Sequence, residues 1–141
     1  MKNWNNIPLS LFLILILLTG CTYDYERNLG GDYVITGYEK TTVISKEIPG
    51  RVTEYKEVLL GEIVDCDFDR DFIIVYREVS EEARMFWGDH PYSEIFRGGD
   101  STQFWIIQKN SDVIYGPLNK NEYLDKRNEL RISDNIKLHN E

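Results

Sequence analysis

The chain has 141 residues, 42% of them hydrophobic and 28% charged, which is the balance of one small folded domain rather than of a disordered segment. Its 16 Lys and Arg against 24 Asp and Glu leave a formal charge of −8, which argues against a nucleic-acid partner, because phosphate binding draws on clustered cations. Two Cys and two His are too few for a Cys/His metal cage or a disulfide framework, so the expectation is no cofactor and no metal.

The chain opens with Met1-Lys2-Asn3-Trp4-Asn5-Asn6, then runs from Ile7 to Leu18 without a charge. A membrane-spanning helix needs about 20 apolar residues, and these twelve fall short. One positive charge, a short apolar centre and then small residues are the parts of a signal peptide. The run ends in Leu18-Thr19-Gly20-Cys21, which resembles the bacterial lipoprotein signal. In that family the cysteine thiol takes a diacylglyceryl group, the peptidase cuts before it, and the new amine is often acylated too. A single acyl chain holds a protein only marginally, whereas two or three hold it firmly. The alternative is an ordinary secretory signal with a chance cysteine.

On this reading residues 1–20 are a signal peptide and Cys21 is the lipidation site. Without Lys2, the 15 remaining basic residues face 24 acidic ones, a formal −9. Anionic head groups repel such a domain, so attachment rests on the lipid alone. Cys66 is then left without an intramolecular partner. Residues 21–31, with Gly30-Gly31 and little apolar content, read as the lipidated Cys and a tether. Thr22 follows the cysteine where Asp would act as a retention signal, so in a Gram-negative host the resemblance implies outer-membrane sorting; otherwise the location is the cell membrane, with the domain outside the cytoplasm.

The globular domain is expected over residues 32–132. Asp32–Gly37 and Thr41–Ile48 are rich in β-branched residues and read as strands. Pro49-Gly50 is a turn, followed by an exposed strand over Val52–Lys56. Leu59–Cys66 alternates, with Ile63, Asp65 and Asp67 on one face and Val64, Cys66 and Phe68 on the other. Phe72–Val79 is apolar on both faces, as a central strand is. Ser80–Trp87 reads as a short helix capped by Ser80. Gln103–Gln108 and Val113–Tyr115 form a hairpin closed by Gly116-Pro117. Asn119 and Glu122 have capping-box spacing, and Tyr123, Leu124, Arg127 and Leu130 mark an amphipathic helix over 120–131. Residues 133–141 read as a polar, frayed tail. The fold class is α+β: a single antiparallel sheet of about five or six strands, a short helical insertion, and a C-terminal helix packed on one face.

The stretches Val-Asp-Cys-Asp-Phe-Asp-Arg-Asp-Phe-Ile-Ile-Val and Gln-Phe-Trp-Ile-Ile-Gln-Lys-Asn-Ser-Asp-Val-Ile-Tyr-Gly-Pro-Leu, with the helix at Tyr123, resemble a group of small uncharacterised bacterial lipoproteins. Their C-terminal half carries a WIID-turn-YGPL-helix pattern, and Gln108 departs from it where Asp is often seen. The likeness covers residues 60–132 and brings no catalytic residue with it.

Three groups invite chemistry. The run Asp65-Cys66-Asp67-Phe68-Asp69-Arg70-Asp71 puts carboxylates at alternate positions, but as a calcium loop it fails, with Arg70 where Gly belongs and Tyr76 where Glu belongs. A hairpin turning at Asp69-Arg70 is the simpler account. Asp89-His90 has the order of an oriented general base, yet no nucleophile accompanies it. Cys66 sits among acids that discourage a thiolate. Phe86, Trp87, Tyr92 and Phe96, with Arg97 beside them, form an aromatic cluster that either caps one end of the sheet or, if exposed, contacts a partner. The expected function is a non-enzymatic binding module of the cell envelope with an unknown envelope protein as partner. The alternative is an inhibitor or immunity protein against an envelope-acting enzyme or toxin, its acidity complementing a basic target.

Overall fold

The computed structural model describes residues 25–38, 41–51, 54–81 and 101–140. Its strands are β1 (Tyr25–Gly30), β2 (Tyr33–Tyr38), β3 (Thr41–Glu47), β4 (Tyr55–Phe68), β5 (Phe72–Glu78), β6 (Thr102–Gln108) and β7 (Val113–Leu118), followed by helix α1 (Lys120–Glu129). Every strand pairs antiparallel with its sequence neighbour, so the seven-stranded sheet is an unbroken meander.

Seven strands replace the expected five or six. The residues read as a tether supply the additional one, because Tyr25–Gly30 pairs with β2. Its sequence hides the fact: as an edge strand it buries Leu29 and exposes Tyr25 to Asn28. The segments read as separate strands around Lys56 and Leu59 are one strand of 14 residues.

That strand shapes the molecule. Residues 55–61 of β4 pair with β3, and residues 62–68 pair with β5. Gly61 stands at the changeover with φ +126°, a conformation that favours glycine. Leu29 on β1 and Ile107 on β6 share one apolar cluster with Tyr33, Ile44, Leu59 and Trp105. In a flat sheet five strand spacings would hold β1 and β6 about 24 Å apart. The sheet is therefore folded over along β4, with this cluster between its halves.

On the outer face of the second half lies another cluster. Ile74, Tyr76, Phe104 and Ile106 pack beneath Tyr123 of α1 and beneath Ile132, Ile136 and Leu138. Strands β5 and β6 are thus covered on both faces, which is why Phe-Ile-Ile-Val-Tyr and Phe-Trp-Ile-Ile lack alternation. Each fully buried aliphatic side chain contributes about 1.5–3 kcal/mol.

Helix α1 carries the expected capping box: Glu122 N donates to the Asn119 side chain at 3.0 Å and Asn119 N donates to the Glu122 carboxylate at 2.9 Å. It ends at Glu129 rather than residue 131, and its buried face is Tyr123 and Arg127, while Leu124 is exposed. The tail is not frayed. Arg127 donates to the carbonyls of Ser133 and Ile136 at 2.8 and 2.6 Å, folding the chain back so that Ile136 and Leu138 reach the core. The sequence pattern misses this because only alternate tail residues are apolar.

Strand β7 runs through Gly116-Pro117, which was expected to close it. Proline is tolerated there because β7 is at the edge of the described sheet, and the pairing with β6 slips opposite Trp105. The expected helix after Ser80 falls on residues outside those described.

Candidate functional site

The strand ends define two opposite poles. At one, register carries a row across the sheet: Tyr25 opposite Gly37, Gly37 opposite Thr42 and Thr42 opposite Gly61, then Glu62 opposite Glu78 and Glu78 opposite Thr102. At the other pole lie the turns at Gly31-Asp32, Pro49-Gly50, Asp69–Asp71 and Lys109–Asp112.

The first pole, the exit rim, holds Tyr25 at the start of β1 and, on the other half of the sheet, the described residues Ser80 and Ser101 that flank 82–100. Both ends of that segment are held. Val79 N donates to Ser101 O at 2.7 Å, and the Ser80 hydroxyl donates to Glu62 at 3.0 Å. Phe86, Trp87, Tyr92, Phe96 and Arg97, together with Asp89 and His90, lie outside the described residues, as does Cys21. Beside the rim, a cleft of about 260 Å³ is lined by Tyr76, Thr102, Phe104, Asn119, Lys120 and Asn140. The Tyr76 hydroxyl donates to Glu78 at 3.0 Å, and Lys120 Nζ donates to the Asn140 carbonyl at 2.9 Å, so the tail forms part of the cleft wall. Burial, and then the bond to the Glu78 carboxylate, raise the Tyr76 hydroxyl above its ordinary range. These groups suit hydrogen bonding and stacking.

Beneath the rim sits a residue that sequence reading passes over. Arg77 is fully buried; it donates to the Leu60 carbonyl and to Gln103 Oε1, and its guanidinium lies 5.1 Å from the Trp105 ring centre. Burial lowers it to about 10. The signal was present, since the run of buried positions in β5 continues from Tyr76 onto the charged Arg77 before the exposed Glu78 ends the strand.

At the turn pole the carboxylates are structural. Asp69 Oδ1 accepts from the backbone N–H groups of Asp71 and Phe72, both at 2.8 Å, which builds the hairpin expected there. Lys109, another buried cation, donates to the Leu29 carbonyl and, at 2.6 Å, to that of Asp69, tying the β1–β2 turn to the β4–β5 turn. Burial lowers its pKa, and Asp69 and Asp71 oppose that fall. Asp112 accepts from the Tyr33 hydroxyl at 2.7 Å and from Lys46 Nζ at 2.6 Å. Those two bonds hold the Asp112 carboxyl below its ordinary range.

The alternation read in β4 breaks at Val64. A bulge between Ile63 and Asp65 turns Ile63 to the same core as Cys66 and Phe68 and leaves Val64 exposed. Asp65 and Asp67, expected to face solvent, instead hold the tail, accepting from the backbone N–H groups of His139 and Lys137. The Cys66 thiol is free and half-buried, and burial pushes its pKa up; Arg27 pulls against that shift while Asp65 and Asp67 add to it. This environment disfavours the thiolate. Among the described residues no three His, Cys, Asp or Glu side chains converge as a metal site requires.

Residues 30–141 match a family described as a protein of unknown function (DUF3997). No curated protein and no solved structure matches the chain.

Proposed function

The chain belongs to the DUF3997 family, and from that premise we propose that it is a lipid-anchored binding module of the bacterial cell envelope. The observation that carries the reading is Leu18-Thr19-Gly20-Cys21 behind an uncharged apolar run of twelve residues. Acylation of Cys21 would supply the attachment that a domain of formal charge −9 lacks. Among the described residues no helix is long and apolar enough to cross a membrane. The binding role draws on the cleft beside the exit rim and on the aromatic residues Phe86, Trp87, Tyr92 and Phe96 with Arg97, which lie between Glu81 and Ser101 in the sequence.

A second reading, inhibition of or immunity to an envelope-acting enzyme or toxin, is favoured by acidity. The formal charge of the whole chain, −8, would complement a basic target.

A crosslinking pull-down from native membranes separates the two, using the full-length chain and a Cys21→Ala form. One stoichiometric protein captured only by the anchored chain supports the envelope module. An envelope hydrolase or toxin captured by both forms supports inhibition. Capture of nothing by either form contradicts both.

A further inference from the structure

We infer that residues 133–140 act as a strap whose hold on β4 tightens when His139 gains a proton, so that the wall they give to the cleft beside the exit rim is firm in mild acid and loosens above neutrality. The inference stands on the geometry of the strap and the cleft and does not depend on acylation of Cys21. The middle of the strap is held by apolar packing, with Ile136 and Leu138 buried in the outer core. Its end is held by polar contacts at the surface. The backbone N–H of His139 donates to Asp65 Oδ2 at 2.6 Å, and the ring Nδ1 of the same residue lies 2.9 Å from that oxygen. The next residue, Asn140, accepts from Lys120 Nζ at 2.9 Å and lines the cleft. The clasp on Asp65 is therefore one residue away from the cleft wall.

Charge makes this clasp responsive. In the β4–β5 register Asp65 stands opposite Tyr76, Asp67 opposite Ile74 and Glu62 opposite Glu78, so these carboxylates share the outer face that the strap crosses. The cations brought to that face are Lys137 of the strap, whose backbone N–H donates to Asp67, and Lys120 of α1. A neutral His139 ring can donate to Asp65 but adds no charge. A protonated ring adds a cation to a carboxylate-rich face and makes the bond charge-assisted. The Asp65 side chain is 16% exposed, whereas that of His139 is 90% exposed and open to exchange of its proton with solvent. Histidine is the side-chain type whose charge changes between about pH 5 and 8. Burial and the Glu78 carboxylate push the Tyr76 hydroxyl up, away from that range. The attachment therefore strengthens as pH falls through the range and weakens as pH rises. Because the ring is exposed, the change is modest, about two- to fivefold in the opening of the strap, which is the span of an exposed ion pair.

Amide exchange of the full chain at about pH 5.5 and about pH 8 tests this, with rates corrected by an unstructured peptide of the same tail sequence. Protection at His139 and Asn140 should be about two- to fivefold greater at the lower pH. His139→Gln keeps the backbone bond but cannot take a charge, and it should remove that pH dependence. His139→Lys carries its charge throughout and should keep the higher protection at both pH values. The position is exposed, so both variants retain the fold. Tail protection that does not change with pH, or a change that His139→Gln retains, would overturn the inference.

Discussion

The Asp65 carboxylate accepts the backbone N–H of His139 at 2.6 Å, 74 positions further along the chain. Two residues on, Asp67 accepts that of Lys137 at 2.9 Å. Alternate carboxylates on one strand thus grip alternate N–H groups of the C-terminal tail, and Leu138, 4% exposed, is pressed between them into the outer core. Leu138→Ala should destabilise the domain by about 2–4 kcal/mol, as truncation of a packed core side chain does. Urea denaturation checks this, and a change below about 0.5 kcal/mol would mean the tail is loose.

Lys109 joins two turns by donating to the carbonyls of Leu29 and Asp69. Methionine keeps most of its volume but leaves both carbonyls without that donor. Lys109→Met should cost about 1–3 kcal/mol. Amide exchange should speed up at Gly30 and Gly31, which lie against its side chain. Unchanged exchange there would show that the turns hold together without it.

Two glycines make opposite predictions. A Cβ on Gly116 would overlap the Trp105 ring, and its φ of +148° is already strained for any L side chain. Trp105 is buried and has nowhere to move, so Gly116→Ala should cost about 1–3 kcal/mol. A Cβ on Gly37 would meet the Tyr25 ring instead. That ring is exposed and can swing aside, so Gly37→Ala should cost less than about 1 kcal/mol. Thermal denaturation of the pair decides, and equal losses would contradict the distinction.

Burial and the Asp112 carboxylate raise the Tyr33 hydroxyl well above its ordinary value of 10.0. The folded pKa exceeds the unfolded one, so the stabilisation is fully present below pH 10 and is lost as pH rises through the folded value. Stability should therefore fall from about pH 10 upward, and Tyr33→Phe should flatten that slope. Urea midpoints across the alkaline range measure it, and a slope unchanged by Tyr33→Phe would refute the assignment.

Much of the sheet was legible in advance because β-branched runs and turn signals mark strands locally. Leu29 shows where that failed: a strand that buries one leucine looks like a linker until its partner is known. Val64 shows a second limit, since one bulged residue reverses which side chains face the core. The buried ends of Arg77 and Lys109 depend on the carbonyls of Leu60, Leu29 and Asp69, far away along the chain, and that of Arg127 on a tail that folds back, none of which a local pattern encodes. Of the expected site, the hairpin at Asp69 is seen in the structure, while the aromatic cluster and Cys21 lie outside the described residues.

The most direct test of the account is the intact mass of the mature protein isolated from membranes of cells expressing the full chain. The account predicts a chain beginning at Cys21 that carries a diacylglyceryl group, and a Cys21→Ala form that is neither acylated nor cleaved at that point. A chain cut elsewhere, or one beginning at an unmodified Cys21, would contradict it.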